Sequence, residues 1–146
     1  MSTQVVSYTL NPAWQSYFEK KALGLMTMCV MTYAGTVRQM MENGQPSGRI
    51  YWSSRTHRFY QASAPGEPPA IDSRRLVNSI AGSVKDWQNG TAGVTDKKAA
   101  RYAYALEFGT NRAGRNHQTT IMPRPYWRPA LPIASRTVRQ QMRGEL

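Results

Sequence analysis

The chain has few of the residues that most often build catalytic and metal sites. Its 146 residues include one cysteine, Cys29, and two histidines, His57 and His117. A single cysteine excludes an intrachain disulfide and fits a protein assembled in a reducing cytoplasm. One cysteine and two histidines 60 positions apart cannot supply the clustered ligands of a structural zinc site. We therefore expect neither a metal nor a cofactor.

Acidic residues are also scarce, with 8 Asp and Glu against 19 Lys and Arg, for a net charge of +11. The carboxylates of Glu67, Asp72, Asp96 and Glu107 are scattered, and none shows the paired setting of a general acid and base. Neither a nucleophile-elbow pattern nor a Gly-x-x-x-x-Gly-Lys phosphate loop occurs. We therefore expect a protein that is not an enzyme, with a triad assembled only in space as the open alternative.

Long apolar runs are missing as well. The longest charge-free apolar run, residues 22–37, has 16 residues and includes several hydroxyl side chains. It is too short and too polar to span a bilayer, and the polar first 20 residues show no cleavable signal. The length and the 40% hydrophobic content instead predict one domain, residues 1–146, with a modest core and no membrane contact.

The hydrophobic pattern predicts an α+β fold. Asn11-Pro12 is a good helix start, and apolar residues then recur at steps of three and four, which predicts a long helix over residues 12–43. Residues 49–95 contain two predicted hairpins, the second of them around Asn89-Gly90. We expect the long helix to pack on a small antiparallel sheet of about four strands built from these hairpins.

The other predicted elements are shorter. They are a Pro-rich arm at 64–70, a helix capped by Asp72 or Ser73 and running to Ile80, a helix at 97–108, a polar loop at 109–123 and a C-terminal helix ending at 143. The residues from 97 to 143 thus form a largely helical C-terminal part.

Three apolar residues of the long helix, Leu23, Met28 and Met31, fall off its apolar stripe. In a lone monomer they would be exposed, which favours a second contact surface. Coverage by neighbouring elements of the same chain is an equally open alternative.

Positive charge is concentrated in the second half of the chain. Residues 74–146 carry a net +9 and residues 1–73 a net +2, and no acidic residue occurs among residues 112–143. Tyr126 and Trp127 lie within this arginine-rich stretch, and arginines beside aromatic residues can line a nucleic-acid path. A solvated face, or pairing with carboxylates of a neighbouring subunit, is the favoured alternative because no groove-reading motif is evident.

Four segments, read in order, resemble one family. They are Ser47-Gly48-Arg49-Ile50-Tyr51; residues 62–70, Ala-Ser-Ala-Pro-Gly-Glu-Pro-Pro-Ala; residues 102–110, Tyr-Ala-Tyr-Ala-Leu-Glu-Phe-Gly-Thr; and residues 122–131, Met-Pro-Arg-Pro-Tyr-Trp-Arg-Pro-Ala-Leu. In this order they resemble the neck and tail-completion (minor tail) proteins of long-tailed bacteriophages, the group that includes phage lambda's tail-completion protein. The resemblance covers roughly residues 47–131.

This resemblance implies a structural virion protein without an active site or a cofactor. It implies a ring of identical subunits at the head–tail neck, which completes the tail and joins it to the head. The implied partners are other copies of the chain, the head-connector or head-closure protein, and the tail-terminator or tail-tube protein. The implied locations are the virion and, during assembly, the host cytoplasm. The alternative function is a basic DNA-binding accessory protein in the host cytoplasm.

Two departures from the family pattern bear on the site residues. The family commonly has Thr-Gly-Arg-Leu before the short helix, where this chain has Ser-Arg-Arg-Leu at residues 73–76. The loop between Thr110 and Met122 is longer than usual. Its Arg112, Arg115 and His117 are therefore candidates for contacts with DNA in the lumen or with a partner.

Single residues receive the following expected roles. Phe108 anchors in the core, Gly109 takes a positive φ at a helix end, and Trp127 lies buried under the last helix. The Pro-rich arm lies across a neighbouring subunit, and Arg124 and Arg128 form ion pairs with a neighbour's Glu67 and Glu107. The subunit-interface candidates are Met28, Met31, Pro65, Glu67, Pro68, Pro69, Arg124 and Arg128.

Overall fold

A computed structural model describes residues 11–144 and confirms the α+β class. Four helices and six strands alternate along these residues. In order they are α1 (Pro12–Glu42), β1 (Ile50–Ser53), β2 (Arg58–Gln61), α2 (Arg75–Ser79), β3 (Ile80–Val84), β4 (Gly90–Val94), α3 (Lys97–Phe108), β5 (Thr110–Ala113), β6 (Thr119–Ile121) and α4 (Trp127–Gly144). Within residues 11–144, no helix has the length and apolar character needed to cross a membrane.

Helix α1 begins and ends where the sequence predicts. The side chain of Asn11 accepts a hydrogen bond from the amide of Ala13, and Asn43 closes the other end through its amide to the Gln39 carbonyl. The buried residues lie only in the second half of the helix. Trp14 and Phe18, which fit the predicted apolar stripe, are more than half exposed, and no element within residues 11–144 packs on them.

The strands form three separate two-stranded antiparallel sheets, β1–β2, β3–β4 and β5–β6, in place of the single sheet of about four strands. The third hairpin lies in the predicted polar loop. Its strands Thr110–Ala113 and Thr119–Ile121 are short, mostly polar and mostly exposed, so they lack the alternation that marks a half-buried strand.

The β3–β4 hairpin packs flat against α1 because two glycines face the helix. A Cβ atom on Gly82 would come within 2.7 Å of one methyl group of Val30, and a Cβ on Gly90 within 2.6 Å of the other. The Asn89-Gly90 pair therefore does not form the tight turn. Gly90 belongs to β4, and the turn is closed by hydrogen bonds from the amide of Asn89 to the Asp86 carboxylate and from the amide of Lys85 to the Asn89 carbonyl.

Helix α2 also starts differently from the prediction. Neither Asp72 nor Ser73 caps it; the capping position is Arg74, which has a left-handed φ of +58° and makes no side-chain capping bond. The helix ends at Ser79, and Ile80 already belongs to β3.

The core lies where the second half of α1 meets α2, β3, α3 and the start of α4. Its fully buried side chains are Val37, Val77, Ile80 and Tyr126. Tyr33 connects α1 to α4, since its hydroxyl donates to the Trp127 carbonyl at 3.0 Å and its ring lies edge-on to the Trp127 ring. Burial raises the pKa of the Tyr33 hydroxyl, which therefore stays a donor at neutral pH.

Candidate functional site

The residue types that bind metal ions do not cluster in the described part of the chain. Within residues 11–144 no three His, Cys, Asp or Glu side chains lie close enough to hold a metal ion. His57 and His117 each occupy a hairpin turn with a φ of +52°, so His57 is not a strand residue as the sequence suggests. The two histidine side chains are exposed and lie on separate hairpins. The candidate sites are therefore surfaces of the protein and not a pocket.

The junction between α3 and α4 is built around the carboxylate of Glu107. This side chain is 4% exposed and accepts hydrogen bonds from the amides of Tyr126, Trp127 and Arg128 at 2.8, 3.0 and 3.1 Å. These amides open α4, so Glu107 satisfies backbone donors that the helix itself leaves unpaired. The Arg128 guanidinium adds a fourth bond at 3.3 Å.

These contacts set both the charge of Glu107 and its role. Burial acts to raise its pKa, but the three backbone amides and Arg128 outweigh burial and hold the pKa below its ordinary value. Glu107 is therefore an ionised structural group inside its own chain. The expected ion pair between Glu107 and an arginine of a neighbouring subunit is wrong, because Arg128 of the same chain fills that place.

Phe108 and Trp127 also differ from their expected roles. Phe108 is 50% exposed and lies under the Arg128 guanidinium, which is 5.3 Å from its ring centre, so it does not anchor the core. Trp127 is half-buried at the edge of the core, and the fully buried aromatic residue at this junction is Tyr126. In a helix the residue adjacent to a buried position points about 100° away from it, which explains why Phe108 is exposed beside the buried Glu107. Tyr126 is the last residue before α4 and takes the buried position expected for Trp127.

Gly109 confirms its predicted conformation. It ends α3 with a φ of +77°. A Cβ atom at this position would meet the Pro123 ring at 2.9 Å and the Ile121 carbonyl oxygen at 3.0 Å. The turn thus needs glycine both for its backbone angle and for the close approach of the next segment.

The Pro-rich arm packs on its own chain, which corrects the expectation that it lies free for a neighbour. Pro69 is buried and Pro68 is half-buried, while Pro65 is exposed. The amide of Gly66 donates to the Pro123 carbonyl at 2.8 Å. The arm is therefore a fixed surface loop, and only its tip can contact another subunit.

Glu67 and Arg124 hold this loop in place. The Glu67 carboxylate accepts from the amides of Ser47 and Ala64 at 3.0 and 2.7 Å, and from the Ser47 hydroxyl, which lowers its pKa. The Arg124 guanidinium donates to the Ser63 carbonyl at 3.0 Å. Both side chains make contacts within their own chain, and ion pairs of Glu67 or Arg124 across subunits stay a prediction.

The described surface carries several groups of exposed aromatic residues, and two of these groups have three or more members. The first, which we call the α1 aromatic cluster, consists of Trp14, Tyr17 and Phe18 with ring centres 5.8–6.2 Å apart and each more than half exposed. Contacts within the cluster leave its outer face open to solvent.

The second cluster, which we call the aromatic hairpin, lies on β1–β2. It pairs Tyr51 with Tyr60 and Trp52 with Phe59 across the strands, and Phe59 is 73% exposed. This surface was not predicted, although the sequence holds a signal for it. Neighbouring strand residues point to opposite faces, so the consecutive Tyr51 and Trp52 place large apolar groups on both faces of the hairpin.

The three apolar residues that fall off the stripe lie on α1. Met31 is 50% exposed and Leu23 is 41% exposed, as expected for residues off the stripe, while Met28 is half-buried. An open apolar groove of about 460 Å³ lies nearby between α1, β4 and α4. Val30, Ala92, Leu131 and Val138 are among the residues that line it.

The basic candidates lie on the third hairpin. Arg112 is on β5, and Arg115 and His117 are in the turn that follows; all three are exposed. The His117 Nδ1 atom is 3.2 Å from the Arg112 carbonyl oxygen, which links the two ends of this turn. More arginines line one face of α4.

No family model, curated protein or solved structure matches the chain. The function of the protein is therefore inferred from the residues and surfaces described above.

Proposed function

We propose that this chain is a structural virion subunit of a tailed bacteriophage. It forms a ring at the head–tail neck that completes the tail and joins it to the head. Its partners are further copies of itself, the head-connector or head-closure protein, and the tail-terminator or tail-tube protein. The observation that carries the proposal is the amount of aromatic surface that a single copy leaves exposed.

Each of the two exposed patches has the size that often marks an interaction surface on a small protein. From the exposed fractions of Ile50, Tyr51, Trp52 and Phe59, the aromatic hairpin exposes on the order of 450 Å² of side chain. The α1 aromatic cluster adds roughly 300 Å². Together they approach the ~800 Å² that each partner buries in a standard protein interface.

The placement of the apolar surfaces favours a head-to-tail assembly. The aromatic hairpin projects large side chains, whereas the groove between α1, β4 and α4 is a concave apolar surface on other elements. When a projection and a recess lie on different parts of one chain, identical subunits can join head to tail, and they close into a ring where the rotation between neighbours permits it. We assign the groove to apolar side chains of a second copy.

The residues of the phage-family resemblance also have structural reasons for their identity. Glu107 caps α4 and Gly109 has a positive φ, so two residues of the Glu-Phe-Gly-Thr segment cannot be exchanged freely. Arg74 occupies the place where the family pattern has glycine, and its φ is +58°. A left-handed backbone at that position is what a glycine would permit, so this departure keeps the backbone shape that the pattern implies.

Deletion of the gene from the phage genome tests this function. We expect filled heads and incomplete tails that stay separate in electron micrographs, and rescue by the wild-type chain supplied from a plasmid. The variant Trp52→Ser/Phe59→Ser should not restore joining, whereas Trp87→Ser, which removes a 44% exposed tryptophan from the β3–β4 turn, should restore it. Normal particles from the deletion strain would contradict the proposal and favour a DNA-binding accessory protein.

A further inference from the structure

Three arginines form a stripe along α4. Arg136, Arg139 and Arg143 are exposed and follow one another at steps of three and four residues, so they share one face of the helix. The stripe spans about 10 Å at 1.5 Å per residue. Within residues 11–144 none of the three guanidinium groups takes part in an ion pair.

The carboxylates of a second copy are poorly suited to neutralise this stripe. Every acidic residue among residues 11–144 already accepts a hydrogen bond from its own chain. These residues are Glu19, Glu42, Glu67, Asp72, Asp86, Asp96 and Glu107. They also lie singly on different elements rather than as an acidic row. The complementary charge must therefore come from another kind of molecule.

An anionic membrane fits the helix less well than a chain of phosphates. The side of α4 opposite to solvent is already buried, since Ala130, Ala134 and Val138 pack in the protein interior. It is not free to enter lipid as an interfacial helix would. Arginine suits phosphate because its planar fork donates two parallel hydrogen bonds.

The surroundings of the stripe also suit a phosphate backbone. An open trough of about 600 Å³ runs along it. The neutral polar Ser135 and Gln140 and the apolar Leu131 and Pro132 line the trough together with the three arginines. Hydroxyl and amide side chains next to arginine are the usual donors to phosphate oxygens, and such contacts do not depend on base sequence.

We propose that this face of α4 binds the phosphate backbone of double-stranded DNA without sequence preference. Binding neutralises the three arginines and releases counterions, so the affinity falls steeply with salt. The contact does not require the ring, since each copy carries the whole stripe. It also differs from the third-hairpin residues Arg112, Arg115 and His117, which the sequence singles out.

Fluorescence polarisation with a labelled 25-base-pair duplex of arbitrary sequence tests this site between 50 and 200 mM salt. The variant Arg136→Gln/Arg139→Gln/Arg143→Gln should bind at least about tenfold more weakly at 100 mM salt, with a salt slope shallower by up to about 2.7. The control Lys97→Gln/Lys98→Gln/Arg101→Gln removes the same charge from exposed positions on α3 and should bind nearly as wild type. Thermal melts should be similar for all three proteins, because the substituted side chains are exposed.

Three results would overturn the proposal. The first is equal loss of affinity in both triple variants, which would show a response to net charge alone. The second is wild-type binding that does not change with salt, or no binding at 50 mM salt. The third is tight binding to phosphatidylglycerol vesicles without binding to the duplex, which would assign the stripe to a membrane surface.

Discussion

Among single residues, Glu107 makes the contact that joins two helices, and its charge gives this contact a pH dependence. Its pKa is lowered in the folded state, so its ionised form stabilises the fold above the ordinary carboxyl pKa. That contribution is lost as the pH falls through the lowered value. Glu67, Asp86 and Asp96 also have lowered pKa values, so the whole protein should lose stability in acid.

Replacement of Glu107 by glutamine should show how much of this loss of stability in acid comes from Glu107. We expect Glu107→Gln to lower the free energy of unfolding by about 1–3 kcal/mol at pH 7, because a neutral amide with one acceptor cannot satisfy three backbone amides and Arg128. Between pH 7 and pH 4 the variant should lose less stability than the wild type. Urea unfolding at both pH values measures this, with the exposed Glu19→Gln as the control; equal pH dependence in Glu107→Gln and wild type would contradict it.

Gly109 provides a second residue-scale prediction. Gly109→Val places a branched side chain at a φ of +77° and against the Pro123 ring, which should cost at least about 2 kcal/mol. We expect the Tm to fall by roughly 5–10 °C. Gly93→Val is the matched control, because nothing lies within 4 Å of a Cβ at that strand position. A Gly109→Val melt as high as that of the wild type would refute this role of the turn.

At the scale of elements, the contact between α1 and the β3–β4 hairpin depends on the fit of two glycines to one valine. Gly82→Ala should destabilise the protein by about 1–3 kcal/mol, because Val30 is stiff and buried and cannot move aside. Val30→Ala opens space for the new methyl group. The double variant should therefore be more stable than the sum of the single effects predicts. Strictly additive unfolding free energies in urea would contradict this packing.

Substitutions in the aromatic hairpin should change the stability of the fold little and its assembly strongly. Trp52→Ser/Phe59→Ser removes exposed side chains and one cross-strand pair, so it should cost about 1 kcal/mol or less. We predict that the wild type forms higher oligomers in native mass spectrometry at micromolar concentration and that this variant does not. Loss of folding in circular dichroism would instead place these residues in a folding role. Unchanged oligomers in a folded variant would remove the hairpin from the interface.

The sequence predicts elements better than it predicts their partners. The bounds of α1 and α3 are accurate because their starts carry local signals, Asn11-Pro12 and the Asp96 cap. The third hairpin is missed because its strands are polar and short. Local pattern also cannot show which part of an apolar stripe another element covers, which is why Trp14 and Phe18 resemble core residues.

The same limit applies to the candidate site. The positive φ of Gly109 follows from its place after a helix, whereas most partners of Glu67, Glu107 and Arg128 lie 19 to 21 positions away along the chain. Sequence alone gives no distance between such residues. The aromatic hairpin differs from these contacts, because its consecutive aromatic residues can be identified in the sequence without a distance between distant residues.

At the scale of the whole molecule, a small core contrasts with a large exposed aromatic surface, which the proposed assembly would cover. Its core is confined to one half of α1 and the elements beside it, and much of its aromatic surface lies outside that core. Such a surface is costly for a lone monomer and useful in a closed ring, where each projection is covered by the next subunit.

The most direct test of this account is quantitative mass spectrometry of purified phage particles, with the copy number of the chain measured against the major tail protein. We predict a fixed, low copy number that corresponds to a single ring in each particle. Absence of the chain from particles, or a copy number that varies between preparations, would contradict its place at the neck.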